Sequence, residues 1–270
     1  MDQYAVMGNP ISHSKSPQIH TAFAAQTKQQ LEYKAIHVEL DGFAQAVSEF
    51  FTEQNKGKGL NITVPFKQQA WELAGQLTER AKRAGAVNTL WKDDKDQLWG
   101  DTTDGVGLVR DITRNHKVTV QGKRVLVLGA GGAVRGVLQP LLEQNPAEIV
   151  IANRTVSKAE ELVELFSDLG KVTASGFEQV TGMFDLVING TAASLQGDLP
   201  PLPASVIKNT TVSYDMMYGK EQAVFNHWAQ EHGASKTLDG LGMLVEQAAE
   251  SFSIWRGILP ETTELISSLS

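Results

Sequence analysis

The segment Arg124-Val125-Leu126-Val127-Leu128-Gly129-Ala130-Gly131-Gly132-Ala133 decides how this chain is read. Its first half is a short apolar run of the kind that forms a buried strand, and the glycines end it in a tight turn. A helix is predicted from Gly132 to Glu143, and a second apolar run, Glu148 to Ala152, stops at Asn153-Arg154-Thr155. Strand, glycine turn, helix and strand in that order point to a dinucleotide. The glycines let the backbone approach a pyrophosphate, and the helix start offers unpaired N–H groups and its positive dipole end. A carboxylate after the second strand would hold the ribose 2′-hydroxyl of NAD. Asn153 and Arg154 stand there instead, and a guanidinium suits the 2′-phosphate of NADP. The candidate cofactor residues are Gly129, Ala130, Gly131, Gly132, Ala133, Asn153, Arg154, Thr155 and Lys158. A purely structural turn would leave Arg154 beside Thr155 and Lys158 unexplained. The third glycine of the usual spacing falls at Val134, which predicts a slightly wider gap between helix and strand.

Outward from this segment, apolar runs at Lys171 to Ala174, Asp185 to Asn189 and Thr211 to Asp215 continue the alternation. Between them a helix over Ser157 to Leu169 places Ala159, Leu162, Val163 and Phe166 on one core face. This is the pattern of a doubly wound parallel sheet. A second α/β alternation precedes it: Tyr4 to Met7 extended, Pro17 to Gln26 helical, Tyr33 to Val38 extended, Phe43 to Glu53 helical, Gly59 to Val64 extended. The glycines Gly105 and Gly107 and the segment Asp239-Gly240-Leu241-Gly242 mark the breaks. One or two helices follow Gly242, with Leu244, Val245, Ala248, Phe252 and Trp255 on an apolar face that pattern alone assigns to neither domain.

A chain of 270 residues has room for one large or two medium domains. No apolar stretch approaches the roughly 20 residues of a membrane span, and Met1 to Pro10 lacks the features of a signal peptide, so a cytoplasmic protein without a membrane partner is expected. A formal net charge of −7 with no lysine or arginine run opposes binding to nucleic acid. The absence of cysteine excludes disulfides, thiolate metal sites and thiol nucleophiles. The histidines show no metal-ligand spacing beside an acid, so no metal is expected.

Three segments carry candidate chemistry. In Asn61-Ile62-Thr63-Val64-Pro65-Phe66-Lys67 a strand precedes Pro65 and Lys67 opens a helix, where a cation opposes the dipole. Lys67 reads equally as a solvated surface lysine and as a functional group at a strand end. The turn Gly100-Asp101-Thr102-Thr103-Asp104-Gly105 offers a carboxylate partner, although capping of the next helix accounts for one of its acids. Gly8-Asn9-Pro10-Ile11-Ser12-His13-Ser14-Lys15-Ser16-Pro17 joins strand to helix with three hydroxyls. Ser16 before Pro17 reads as a helix cap, Ser12 and Ser14 as donors for a small anion or polyol, and His13 as a loop residue.

These segments, with Ala84-Gly85-Ala86-Val87-Asn88-Thr89, Thr103-Asp104-Gly105, Asn153-Arg154-Thr155, Tyr214-Asp215-Met216 and Asp239-Gly240-Leu241-Gly242-Met243-Leu244-Val245 followed by Gln247-Ala248, resemble the shikimate dehydrogenase family over nearly the whole chain. The resemblance implies an α/β protein of two domains. The substrate-binding and catalytic domain is an N-terminal α/β part completed by C-terminal helices, residues 1–104 and 240–270, and a Rossmann-type NADP-binding domain, residues 105–239, is inserted between them. It further implies that Ser14 and Ser16 bind the substrate carboxylate, that Thr63, Asn88, Asp104 and Gln247 bind its hydroxyls and neighbours, and that Tyr218 closes the site. Lys67 is implied as catalytic acid and base with Asp104 as its partner. Met216, Gly240 and Met243 are placed near the nicotinamide and Glu79 at the edge of the site. The implied reaction is the reversible reduction of 3-dehydroshikimate to shikimate by NADPH in aromatic amino acid biosynthesis.

The chain departs from the family pattern at Val134, at Thr102 where asparagine is usual, and at Gly190-Thr191-Ala192-Ala193 where Ala-Thr-Ser-Ser is commoner. Lost donors there are expected to weaken cofactor binding by about 0.5–1.5 kcal/mol per neutral hydrogen bond. Three other readings compete. Asn153 and Arg154 oppose a quinate/shikimate dehydrogenase that uses NAD, Lys67 and Asp104 oppose a non-catalytic shikimate sensor, and the hydroxyl-rich start opposes a dehydrogenase of folates or amino acids. The sequence leaves the oligomeric state open, a homodimer included.

Overall fold

A computed structural model describes residues 1–191, 193, 197–219 and 221–270; Ala192, one of the departures above, lies outside the described residues. The chain forms two compact units, Met1–Gly107 with Val245–Ser270, and Leu108–Leu244. No helix among the described residues is long and apolar enough to cross a membrane.

The first unit holds a sheet of β1 (Asp2–Gly8), β2 (Leu31–His37), β3 (Gly57–Ile62), β4 (Gln76–Leu77), β5 (Thr89–Lys92) and β6 (Leu98–Asp101), in the order β2-β1-β3-β5-β6-β4. The expected strands β1, β2 and β3 run parallel, and β5 is antiparallel to both β3 and β6. Strands β4 to β6 escaped the sequence reading because they are short and joined by charged residues. The β5–β6 reversal is tied by Asp93, whose carboxylate accepts from the N–H groups of Lys95 and Gln97. The helices are α1 (Ser16–Gln26), α2 (Phe43–Phe50), α3 (Lys67–Leu73), α4 (Glu79–Ala84) and the start of α5 (Asp104–Arg110), which runs on past Gly107 into the second unit. A core of Met7, Val47, Phe50, Leu60, Phe66 and Leu90, among others, packs between them.

The second unit is a sheet of β7 (Arg124–Leu128), β8 (Glu148–Ala152), β9 (Val172–Ser175), β10 (Leu186–Asn189), β11 (Val212–Asp215) and β12 (Lys236–Leu238), ordered β12-β11-β10-β7-β8-β9. Every pairing in it is parallel. Buried parallel strands are near-continuous apolar runs, so five of the six were legible, whereas Lys236-Thr237-Leu238 is too polar to stand out. Helices α6 (Gly132–Leu142), α7 (Val156–Phe166) and α8 (Val224–Glu231) cover the sheet. The strand order reverses between β7 and β10, and ligands of such sheets collect beyond the strand ends at that point. Val134 is completely buried in the core of this unit.

After α8 come α9 (Leu241–Arg256) and α10 (Thr263–Leu269). From Val245 onward, the apolar face of α9 that pattern could not assign belongs to the first unit. Val245, Ala248 and Phe252 are completely buried, Phe252 meets Phe23 at 5.8 Å, and the Trp255 indole N–H donates to the Leu90 carbonyl. The glycines read as breaks lie within or beside helices: Gly105 and Gly107 in α5, Gly242 in α9. Gly242 is required there because the Asp111 carboxylate occupies the space a side chain would take.

Behind α9 the completely buried His20 lies flat on Tyr33, with ring centroids 4.1 Å apart and planes at 4°. Burial lowers its pKa from the usual 6.5 to about 3, so the folded protein holds it neutral. The unfolded chain binds that proton below about pH 6.5 and the folded one does not, so this group costs stability as pH falls towards 3. The expected slope is about 1.4 kcal/mol per pH unit. His20→Phe keeps the ring stack and should flatten the urea-unfolding stability between pH 6 and pH 4 by about one proton's worth. An unchanged slope would show that other groups govern acid sensitivity.

Candidate active site

Lys67 is the first residue of α3, carried there by the turn that follows β3, and Asp104 is the first residue of α5 after β6. Their side chains meet, with Lys67 Nζ 2.6 Å from Asp104 Oδ2, and are 24% and 10% exposed. The other carboxylate oxygen of Asp104 accepts from the Asn88 side-chain amide at 2.9 Å. Both oxygens are thus engaged, and the carboxylate cannot rotate without losing a partner. A primary ammonium held this way, still partly open to solvent, is equipped to donate a proton to an oxyanion within reach.

Asn88, 3% exposed, organises the surrounding polar groups. Its carbonyl oxygen accepts from the Thr103 N–H and the Thr89 hydroxyl, and its amide also donates to Gln247 Oε1 at 3.2 Å. Beneath it the Ser251 hydroxyl lies 2.8 Å from that of Thr89 and accepts from the Asn61 amide at 3.0 Å. The Tyr33 hydroxyl donates to Asn61 Oδ1 at 2.7 Å and lies against Ser16. Lys67, Asp104, Asn88 and Gln247 are therefore joined directly, and Ser16 through Tyr33, Asn61 and Ser251. Asn61, Thr89 and Ser251 were not picked out from sequence as site residues. Ser251 had one available signal, since it stands four residues after Gln247 on the same helical face.

The reading of Ser16 as a helix cap needs correction. Ser16 is the first residue of α1 and buried, Lys15 stands at the cap, and the Ser16 N–H donates to Ser14 Oγ at 3.3 Å. Thr63 packs its methyl on Gly8 at the end of β1. Of the two acids either of which could have capped the next helix, Asp101 is engaged elsewhere. Its carboxylate takes a two-pronged contact from Arg80 at 2.8 and 2.6 Å and accepts from the Thr78 hydroxyl and the Thr102 N–H. Arg80 also reaches Glu250 on α9. This pair holds the backbone that leads into Thr103 and Asp104. Thr102 is buried in the same turn.

In the second unit Gly129 has φ +103°, a conformation open to glycine, and its N–H donates to the Ala152 carbonyl at 2.8 Å. Gly131 stands at the cap of α6 with no side chain capping it, and a Cβ on Gly131 or Gly132 would meet nothing within 4 Å. The start of α6 is thus uncapped by any side chain and its surface at Gly131 and Gly132 is open, as an approaching pyrophosphate requires. Ala130 is buried and Ala133 half-buried beside them. Past β8, the Asn153 amide donates to the Thr155 carbonyl and shapes the turn, leaving Arg154 and Lys158 exposed at the start of α7. Met216 and Met243 are each 8% exposed in the core, and Gly240 packs its Cα on the Met216 carbonyl where no side chain fits. Tyr218 belongs to this unit and is 37% exposed. Glu79 is exposed in the first turn of α4, in the first unit, where a carboxylate complements the helix dipole.

A buried pair was missed here because each member ends an otherwise apolar strand. The Asn189 amide donates to Asp215 Oδ2 at 3.0 Å, Asn189 Oδ1 accepts from the N–H and hydroxyl of Thr191, and Asp215 Oδ1 accepts from the Met217 N–H. The pair ties the turns beyond β10 and β11 together.

Family models match in three places: the shikimate dehydrogenase substrate binding domain over residues 6–90, shikimate / quinate 5-dehydrogenase over 111–196, and the shikimate 5′-dehydrogenase C-terminal domain over 240–266. The chain is 60% identical to the shikimate dehydrogenase (NADP(+)) of Marinobacter nauticus, over 99% of this chain and 98% of that one. Among solved structures, the Ael1 enzyme of Pseudomonas putida superposes with a TM-score of 0.93 at 47% identity, covering 100% of this chain and 98% of that one. The shikimate 5-dehydrogenase of Thermus thermophilus, in complex with NADP(H) and shikimate, superposes with a TM-score of 0.87 at 29% identity, covering 99% and 98%.

Proposed function

The chain belongs to the shikimate dehydrogenase family, whose reversible NADPH-dependent reduction of 3-dehydroshikimate to shikimate in aromatic amino acid biosynthesis it carries out, and we propose that Lys67 and Asp104 perform the proton chemistry. The observation that supports this assignment is the 2.6 Å Lys67–Asp104 contact, with Asn88 on the second carboxylate oxygen. Bound NADPH supplies the hydride to the ketone carbon. As charge gathers on the ketone oxygen, the Lys67 ammonium stabilises it and delivers a proton; in shikimate oxidation Lys67 takes that proton back. Asp104 keeps Lys67 in register. Ser14 and Ser16 hold the substrate carboxylate, and Thr63, Asn88 and Gln247 its hydroxyls.

For the cofactor, the open first turn of α6 suits the pyrophosphate, Arg154 with Lys158 the 2′-phosphate, and Met216, Gly240 and Met243 the nicotinamide. Arg154→Ser is expected to raise KM for NADP by roughly 10- to 100-fold while rates with NAD change little, because a charged hydrogen bond is worth about 1.5–3 kcal/mol. Initial rates of shikimate oxidation with both cofactors, for wild type and variant, test this. Unchanged KM for NADP in the variant would remove Arg154 from the site, and equal wild-type efficiency with NAD would favour the NAD-dependent quinate/shikimate reading. We further propose a cytoplasmic location, in keeping with the cysteine-free composition, and a homodimer as the solution state that light scattering would test.

A further inference from the structure

At the point where the second sheet reverses its strand order, the glycine turn after β7, the turn after β10 and the segment after β11 pack on one another. The Gly190 N–H donates to the Leu128 carbonyl at 2.9 Å, which draws the end of β10 against the last residue of β7. A Cβ on Gly129 would lie 3.3 Å from both the Gly190 carbonyl oxygen and the Thr191 methyl. The space beside Gly190 is tighter still. A Cβ there would lie 2.6 Å from Val134 Cγ2, 3.0 Å from Met216 Sδ and 3.3 Å from the Leu128 carbonyl oxygen.

The helix wall of that space does not yield, and on the opposite wall the backbone is held. Val134 is the third residue of α6 and fully buried, and a β-branched side chain in a helix has essentially one χ1 rotamer, so its Cγ2 cannot swing aside. On the other side Asn189 and Asp215 tie the strand ends that carry Gly190 and Met216. A side chain at 190 must therefore displace the first turn of α6, which borders the open surface at Gly131 and Gly132, or push the Met216 side chain away. Two departures from the family pattern, a valine on the helix and a glycine on the strand, are thus one arrangement: bulk on one wall is matched by its absence on the other.

We infer that Val134 and Gly190 are a size-matched positioning pair that sets the first turn of α6 and the Met216 side chain for NADP; this rests on the reading of the second unit as the one that holds the cofactor. Neither residue need touch the cofactor. Val134→Ala opens the space that an alanine at 190 requires, so the two substitutions should compensate each other.

The experiment compares wild type, Gly190→Ala, Val134→Ala and the double variant by calorimetric NADP binding without shikimate, calorimetric shikimate binding without NADP, and thermal unfolding. Gly190→Ala is expected to weaken NADP binding about tenfold or more while shikimate affinity stays within about twofold. Val134→Ala should lower the melting temperature through the cavity it leaves, and the double variant should recover NADP affinity to within about threefold of wild type. Wild-type NADP affinity in Gly190→Ala, or a double variant no better than Gly190→Ala, would overturn the pairing. If Gly190→Ala does not fold, a double variant that folds and binds NADP supports the pair, and one that does not overturns it. Wild type that binds shikimate but not NADP would overturn the cofactor reading itself, a result distinct from failure of compensation.

Discussion

Lys67→Ala is expected to lower kcat for shikimate oxidation by about 10²- to 10⁴-fold, the range over which a positioned acid or base acts. Dissociation constants for shikimate and NADP should change little, because the substrate's carboxylate and hydroxyls are assigned to Ser14, Ser16, Thr63, Asn88 and Gln247. Fold loss is not the expected cause. Lys67 is the first residue of α3, where a cation opposes the dipole, and it is only partly buried. Asp104 keeps its hydrogen bond from Asn88 when the ammonium is gone. Steady-state kinetics with calorimetric shikimate binding check this, and a folded variant that retains wild-type kcat would refute the role given to Lys67.

Asp104→Asn should have the second-largest effect, although it is isosteric. The carboxylate offers Oδ2 to Lys67 at 2.6 Å and Oδ1 to Asn88 at 2.9 Å, so both positions must accept. An amide has one acceptor. In either orientation its NH₂ faces another donor, Lys67 Nζ or Asn88 Nδ2, and one of the two must turn away. The loss of a charged hydrogen bond, about 1.5–3 kcal/mol, corresponds to a fall in kcat of roughly 10- to 150-fold, with a higher KM for shikimate if Asn88 is the group displaced. Unfolding measurements separate this from global destabilisation. Wild-type kcat and KM in a folded variant would leave the Lys67–Asp104 contact without a catalytic part.

The way these groups come together explains what was legible beforehand. Lys67 and Asp104 were each conspicuous, one as a cation at a helix start and the other as a surplus acid in a turn, yet 37 residues separate them and nothing local pairs them. The turn by itself did not separate Asp104 from its neighbour Asp101; the family resemblance chose Asp104, and the fold gives the reason by handing Asp101 to Arg80. Asn61, Thr89 and Ser251 look like ordinary polar residues in a strand and a helix. Their importance arises because three elements bury them against one another, where each unpaired donor would cost about 1–3 kcal/mol.

Local rules determined a good deal. Buried parallel strands read as apolar runs, and the glycine turn between strand and helix and Arg154 in place of an acid carry the expectation of NADP; each signal lies in neighbours along the chain. Pattern along the chain left open where the last helices pack and which acid Lys67 meets; the family resemblance implied both answers, and the tertiary structure supplies their physical reason, while it alone shows Val134 in the glycine turn answered by Gly190 after β10. Those facts depend on which surfaces exclude water from one another and which volumes fit. Packing of that kind is settled between residues far apart in sequence, so no stretch of the chain records it alone.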